Sequence, residues 1–172
     1  MRTQTTSHQL EADGRVYRRD RTHAMLMAVA PQSGATPTLP HAHGVHTFVT
    51  TYAHTDAVRV DLHVHNAFTN ALANDGRDDV LGDLYFDSLT LSVPTGWIVV
   101  PLVADPYLGS LSDDGQRDSI AIVSPLADNK LHVLPQRSRF QRSFVLAPLD
   151  SQATALALAQ DRGLGFVVPT NF

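Results

Sequence analysis

Histidine is the residue type in this sequence best suited to chemistry, and its nine copies are unevenly spread. His63 and His65 stand two apart, and His41, His43 and His46 lie within six residues of one another. Imidazole is the commonest metal ligand near neutral pH, and three such nitrogens can form a tetrahedral or an open site. One interpretation of this spacing is a divalent metal site, for zinc, iron or manganese, that draws on both groups, and the other is that the protein holds no metal cofactor.

The residues around His63 give the clearest structural pattern in the sequence. Apolar and polar side chains alternate over residues 57–66, and a period of two is typical of a half-buried β-strand. His63 and His65 then share one face of that strand, about 7 Å apart at their Cα atoms. Residues 41–46 fall in a predicted loop, which would have to fold back on the strand to complete a metal site. Solvated histidines on a strand face and in a loop are the alternative interpretation.

Turn signals and short β-rich segments predict an all-β protein over the rest of the chain. About eight strands at regular spacing favour an antiparallel β-sandwich or a distorted barrel. A single C-terminal helix is predicted over residues 152–160, which are rich in Ala and Leu. We expect the polar residues 1–13 to be frayed and residues 14–172 to form one domain. A β-bulge is expected near Asp87, where the inward-facing parity changes.

Composition excludes several classes of protein. The 172 residues carry a formal net charge of -4, which argues against a nucleic-acid partner. No cysteine is present, so disulfide scaffolds and thiol catalysis are excluded. No apolar run reaches the roughly 20 residues of a membrane span, and we expect no membrane partner. The compartment stays open: the N-terminus has no signal-peptide pattern, yet the chain could be a piece of a longer secreted protein. Oligomerisation and flanking domains also stay open.

Other candidate binding residues are aromatic or acidic. Rings that could stack on a sugar are Tyr107, Trp97, Tyr52 and Tyr85. The loop Asp75–Asp83 collects carboxylates around glycines, which is a composition that can hold calcium. Nucleophile-elbow, phosphate-loop and dinucleotide motifs are absent, so no catalytic residue is assigned and a non-catalytic role is favoured.

Two short histidine motifs resemble those of metal enzymes. Residues 60–66, VDLHVHN, resemble the first-strand motif of amidohydrolases and of PHP-type phosphoesterases, whose two histidines bind divalent metals. Those folds are large barrels with alternating helices and later ligand motifs, which this sequence lacks. Residues 41–43, HAH, resemble the cupin motif, which implies a glutamate shortly afterwards, whereas the one glutamate here is Glu11.

A longer resemblance covers residues 58–97. It is carried by the strand that ends at His65, an Asp/Gly-rich loop, and the segments GDLYFDSL and LSVPTGW. These resemble β-sandwich modules of YetA-like and rhamnogalacturonan-lyase-type polysaccharide-degrading proteins. The resemblance implies a non-catalytic module, structural or carbohydrate-associated, beside a larger enzyme or assembly, with a polysaccharide or oligosaccharide as partner. The alternative function is a small metal-dependent enzyme, cupin-like or a hydrolase, that uses the two histidine groups.

Overall fold

A computed structural model of the chain describes residues 2–27, 43–66, 83–103, 109, 111–113, 117–135 and 137–160. These residues form antiparallel sheets and one α-helix. The elements are β1 (Arg2–Asp13), β2 (Tyr17–Met27), β3 (His43–Tyr52), β4 (Val58–Asn66), β5 (Leu84–Phe86), β6 (Leu89–Pro94), β7 (Trp97–Pro101), β8 (Leu111–Asp113), β9 (Arg117–Val123), β10 (His132–Leu134), β11 (Ser138–Pro148) and α1 (Gln152–Gln160). The predicted all-β class and the C-terminal helix are confirmed.

Six strands form the large sheet, in the order β1-β2-β3-β4-β11-β7. Strands β5 and β10 form a two-stranded sheet, and β6, β9 and β8 form a three-stranded one. Among the described residues no sheet closes on itself, so the barrel alternative is not adopted. The strands β2, β3 and β4 are consecutive neighbours in the large sheet, and this adjacency brings distant parts of the sequence together.

The alternation along β4 creates the main core. Val60, Leu62 and Val64 are at most 7% exposed and lie on one face of the large sheet. Phe144 of β11 joins them there. Side chains of the smaller sheets close this core from the other side: Leu84, Ile120, Ile122 and Leu134. The protein therefore has two β layers around one apolar centre.

The helix α1 lies on the other face of the large sheet. Ala155 and Ala159 pack with Val145 and Ala147, which alternate with the core residue Phe144 along β11. The contacts of α1 with the sheet fall mainly on β11 and β7, near one end of this face. The part of the face formed by β2, β3 and β4 consequently carries polar and imidazole side chains. Within the described chain, no helix combines the length and the apolar character that crossing a membrane requires.

The N-terminal segment differs from the expectation of a frayed terminus. Residues 2–13 form β1, which is hydrogen-bonded to β2 as an antiparallel hairpin. Backbone pairing needs no apolar side chains, so the polar composition did not signal the strand. Side chains add cross-strand contacts, since Arg21 Nη2 donates to Gln9 Oε1 at 2.8 Å.

The change of parity near Asp87 is accompanied by a register shift between Leu89 and Thr90, where β6 pairs with β9, which agrees with the expected bulge. Strand β5 ends at Phe86 and pairs with β10, whereas β6 begins at Leu89 and pairs with β9. The chain moves from one small sheet to another between these residues. The residues that face inward therefore change between β5 and β6 because the two strands belong to different sheets.

Phe144 is the largest fully buried side chain of the core and is 2% exposed. Phe144→Ala should lower the free energy of unfolding by about 3–5 kcal/mol, because the lost contacts leave a cavity. Urea denaturation measures this change. Phe140→Ala, in the same strand but only half-buried, is the matched control and should cost less. An equal loss in the two variants would contradict the assigned core.

Candidate metal centre

Three neighbouring strands each place one imidazole on the same face of the large sheet. His23 on β2 and His46 on β3 are directly opposite one another in the antiparallel register. His65 on β4 is directly opposite Gly44, which lies two residues before His46 on β3. Because residues two apart in a strand point to the same side, the register brings the three rings together.

The nitrogens of these three rings lie at distances suited to a shared metal ion. One ligand atom from each ring belongs to a group whose members all lie within 4.8 Å of one another. His23 Nε2 and His65 Nε2 are 3.3 Å apart. With Zn–N bonds of about 2.0–2.1 Å, two ligands of a tetrahedral ion lie about 3.3–3.4 Å apart. That pair of nitrogens already has the spacing of one edge of such a site.

The rings are stacked on one another. The centroids of His23 and His46 are 4.5 Å apart, and those of His46 and His65 are 5.1 Å apart. His23 and His65 complete the triangle at 5.5 Å. The third nitrogen lies within 4.8 Å of the other two, and a change of ring orientation that shortens this separation would bring it to the same bond length. The group, which we call the histidine triad, can hold a metal ion.

Gly44 provides the space in which two of the imidazoles meet. A Cβ atom at this position would lie 2.6 Å from His65 Nε2 and 2.7 Å from His23 Nε2. Both distances are shorter than real Cβ contacts allow, so any side chain here would displace the rings. Glycine at position 44 is therefore a steric requirement of the triad.

The electrostatic surroundings of His46 favour its neutral form. Burial lowers the pKa of His46 below its ordinary value, and the neighbouring charges of His23, His65, Arg21 and His63 lower it further. Its Nδ1 atom is buried and has no hydrogen-bond partner among the residues that the structure describes. A neutral imidazole is the form that binds metal, so this environment prepares His46 as a ligand.

An open cleft of about 450 Å³ adjoins the triad. His46 and His65 form part of its wall, together with His63, Asn66, Arg137, Ser138 and Arg139. A metal ion on the triad would therefore lie next to solvent-filled space. Three protein ligands beside an open volume are characteristic of catalytic rather than structural zinc sites.

A buried carboxylate lies further along the same face of β4. Asp61 is 2% exposed, and it accepts hydrogen bonds from Arg59 Nε at 3.1 Å and from Ser143 Oγ at 2.6 Å. Arg19 Nη2 lies 3.6 Å from the same carboxylate. These partners compensate the buried charge, so we assign Asp61 to the stability of the sheet.

Only some of the predicted metal ligands belong to the triad. His46 and His65 belong to the triad, and His46 lies in strand β3 instead of the expected loop. His63 borders the same cleft, but its ring packs at 4.9 Å on Phe48 and it is not one of the three. His43 pairs through its backbone with Asn66, and its side chain lies outside the described part. His41 lies outside the described residues altogether.

His23 is the ligand that sequence reasoning missed. It stands alone in the sequence, with the nearest histidines at His8 and His41. Its place in the site depends on the pairing of β2 with β3, which puts it opposite His46. The alternation of Arg19, Arg21 and His23 along β2 was the available signal, since it places His23 on a polar strand face.

The aromatic candidates for sugar stacking are not gathered on one surface. Tyr85 is 48% exposed in the two-stranded sheet. Tyr52 on β3 and Trp97 on β7 are separated by β4 and β11, which puts them about 14 Å apart across the sheet. Tyr107 lies outside the described residues, as does the Asp75–Asp83 loop except for Asp83. Carbohydrate and calcium binding at these residues stay predictions.

No protein-family model, curated protein or solved structure matches this chain. The resemblance of residues 58–97 to modules of polysaccharide-degrading proteins therefore stays a prediction.

Gly44→Ala should reduce zinc affinity by about 10- to 100-fold or more, the range seen when support for metal ligands is lost. The added methyl group would displace the rings of His23 and His65. Isothermal titration with zinc measures the effect, and circular dichroism of the metal-free protein checks the sheet. Gly14→Ala, in the turn between β1 and β2, is the control and should bind zinc as the wild type does. Unchanged affinity in Gly44→Ala would contradict the steric role of this glycine.

The metal-free protein should lose stability as the pH falls through about 6.5 towards the lowered pKa of His46. In this window the unfolded chain already binds a proton at His46, whereas the folded protein does not, so acid favours unfolding. Urea denaturation at pH 8 and pH 5.5 measures the loss in the presence of a chelator. His46→Gln removes this titration and should show a smaller loss. A loss of the same size in this variant would show that His46 does not contribute.

Proposed function

We propose that this protein is a small metal-dependent enzyme that binds one divalent ion through His23, His46 and His65. Two observations carry the proposal. The three ligand atoms all lie within 4.8 Å of one another, and His23 Nε2 lies 3.3 Å from His65 Nε2. Separate strands supply the three ligands, so the site depends on the folded sheet. The metal-dependent alternative from the sequence is thereby preferred to the accessory-module function.

Zinc is the ion that the ligand set favours. The triad offers three imidazole nitrogens and no carboxylate. Calcium and magnesium prefer oxygen ligands, and non-haem iron(II) oxygenase sites combine two histidines with a carboxylate. Imidazole suits zinc, copper, nickel and iron, and zinc accepts a tetrahedral arrangement without a preference from its d electrons. Among the zinc, iron and manganese expected from the sequence, zinc therefore fits best.

The cleft gives the proposed site its catalytic character. A zinc ion with an open position supplies Lewis-acid chemistry and a bound water whose pKa is lowered to about 7. His23, His46 and His65 would hold the ion, and the cleft adjoins this group at His46 and His65. Hydrolysis or hydration of a small substrate is the reaction class that this arrangement supports.

A purely structural imidazole stack is the competing explanation. Such a stack includes the hydrogen bond between His23 Nε2 and His65 Nε2. Within the described residues it offers no partner to the buried Nδ1 of His46, a free-energy cost that a metal ion bound to Nδ1 would remove. Metal binding gives the clustering of the three rings a favourable energy that stacking alone does not supply.

Substitution of any triad residue by alanine should lower zinc affinity by more than about 100-fold, since loss of even an outer partner costs about 10- to 100-fold. Protein purified without a histidine tag is stripped of metal and titrated with zinc by calorimetry, with elemental analysis of the loaded protein. The wild type should bind one equivalent. Cobalt substitution then reports the ligand geometry through its visible absorption.

His54→Asn is the matched control, because His54 is exposed in a turn with φ of 65°, a conformation that asparagine tolerates. It should bind zinc as the wild type does, as should His63→Ala. Zinc-loaded wild type should hydrolyse 4-nitrophenyl acetate faster than the His65→Ala variant at equal zinc. Absence of a saturable one-to-one zinc site in the wild type would refute the proposed function.

A further inference from the structure

The cleft beside the triad is rich in positive charge. The described residues that line it include no carboxylate: they are His46, His63, His65, Asn66, Arg137, Ser138 and Arg139. The chain as a whole carries a net charge of -4, so the charge of the cleft is opposite in sign to the net charge of the chain. A divalent ion held by three neutral imidazoles would keep its full charge and add to the two guanidinium groups.

The two arginines of the cleft are available to a ligand. Arg139 is directly opposite His65 in the pairing of β11 with β4, which fixes it next to the triad. Both arginines are exposed. Within the described parts of the chain, neither is paired with a carboxylate. A planar guanidinium matches the oxygens of a carboxylate or a phosphate and can bind two of them at once.

The backbone at Arg137 belongs to the turn that leads into β11. Its φ is 57°, in the left-handed region where glycine or asparagine is the usual residue. The turn is closed by Ser138 N, which donates to Pro135 O at 3.2 Å. This turn places Arg137 beside Ser138 and Arg139 in the wall of the cleft.

We infer that the cleft binds a small oxyanion, a carboxylate or a phosphate group, with one oxygen on the metal ion and another on Arg137 or Arg139. This inference rests on the proposed function, since the metal supplies one of the two contacts. It assigns anionic compounds as the substrate class of the site. Uncharged sugars and cationic ligands are not matched by this charge arrangement.

Visible absorption of the cobalt-loaded protein tests the inference. Sodium acetate and inorganic phosphate are titrated separately at constant ionic strength, and they distinguish carboxylate from phosphate binding. At least one of them should change the cobalt spectrum and saturate. In Arg139→Gln the dissociation constant should rise about tenfold, as expected for loss of a charge-assisted hydrogen bond, and Arg137→Asn should show a rise of similar size if that residue is the contact.

Arg18→Gln is the control for net charge, because Arg18 pairs with Asp20 on β2 and does not line the cleft. It should leave the dissociation constant of the anion unchanged. The inference is overturned if neither anion changes the spectrum, or if both cleft variants bind as tightly as Arg18→Gln. In those cases one-to-one cobalt binding still supports the proposed function. Failure of the wild type to bind cobalt or zinc overturns the proposed function and this inference together.

Discussion

The register between β2, β3 and β4 is the constraint on which the candidate site depends. His23 is opposite His46, and Gly44 is opposite His65, only in the observed pairing. A slip of one residue in β4 would turn its imidazoles to the other face of the sheet, because side chains alternate with a period of two. The histidine triad is thus a property of strand pairing, and no single strand contains it.

The apolar core fixes that register from the opposite face. Val60, Leu62 and Val64 must face the smaller sheets to be buried, and this requirement points the odd-numbered residues of β4 away from the core. Val45 on β3 and Phe144 on β11 face the same core. The hydrophobic energy of the core therefore sets the positions of imidazoles that contribute little to it. Core and site occupy opposite faces of the same strands.

Local patterns in the sequence predicted the elements that depend on local chemistry. The alternation around His63 identified β4 within one residue, and the Ala/Leu-rich segment identified α1 at both of its ends. Two triad members, His46 and His65, were among the predicted ligands. His23 could not be found in this way, because its contact with His46 spans 23 residues and depends on which strands pair. The role of Gly44 could not be predicted either, since only the folded sheet shows that the rings of His65 and His23 lie where a side chain at this position would be.

The face that carries the triad accommodates polar groups in two different ways. Asp61 is almost completely buried, and Arg59 and Ser143 satisfy its charge through hydrogen bonds. The triad clusters three basic groups, and proximity makes a proton on one ring unfavourable for its neighbours. Burial lowers the pKa of His46, and the neighbouring rings of His23 and His65 lower it further. A metal ion binds the lone pairs of neutral imidazoles, so three rings that are close together could hold one through three simultaneous bonds. The arrangement that is unfavourable for protons is therefore favourable for a metal ion.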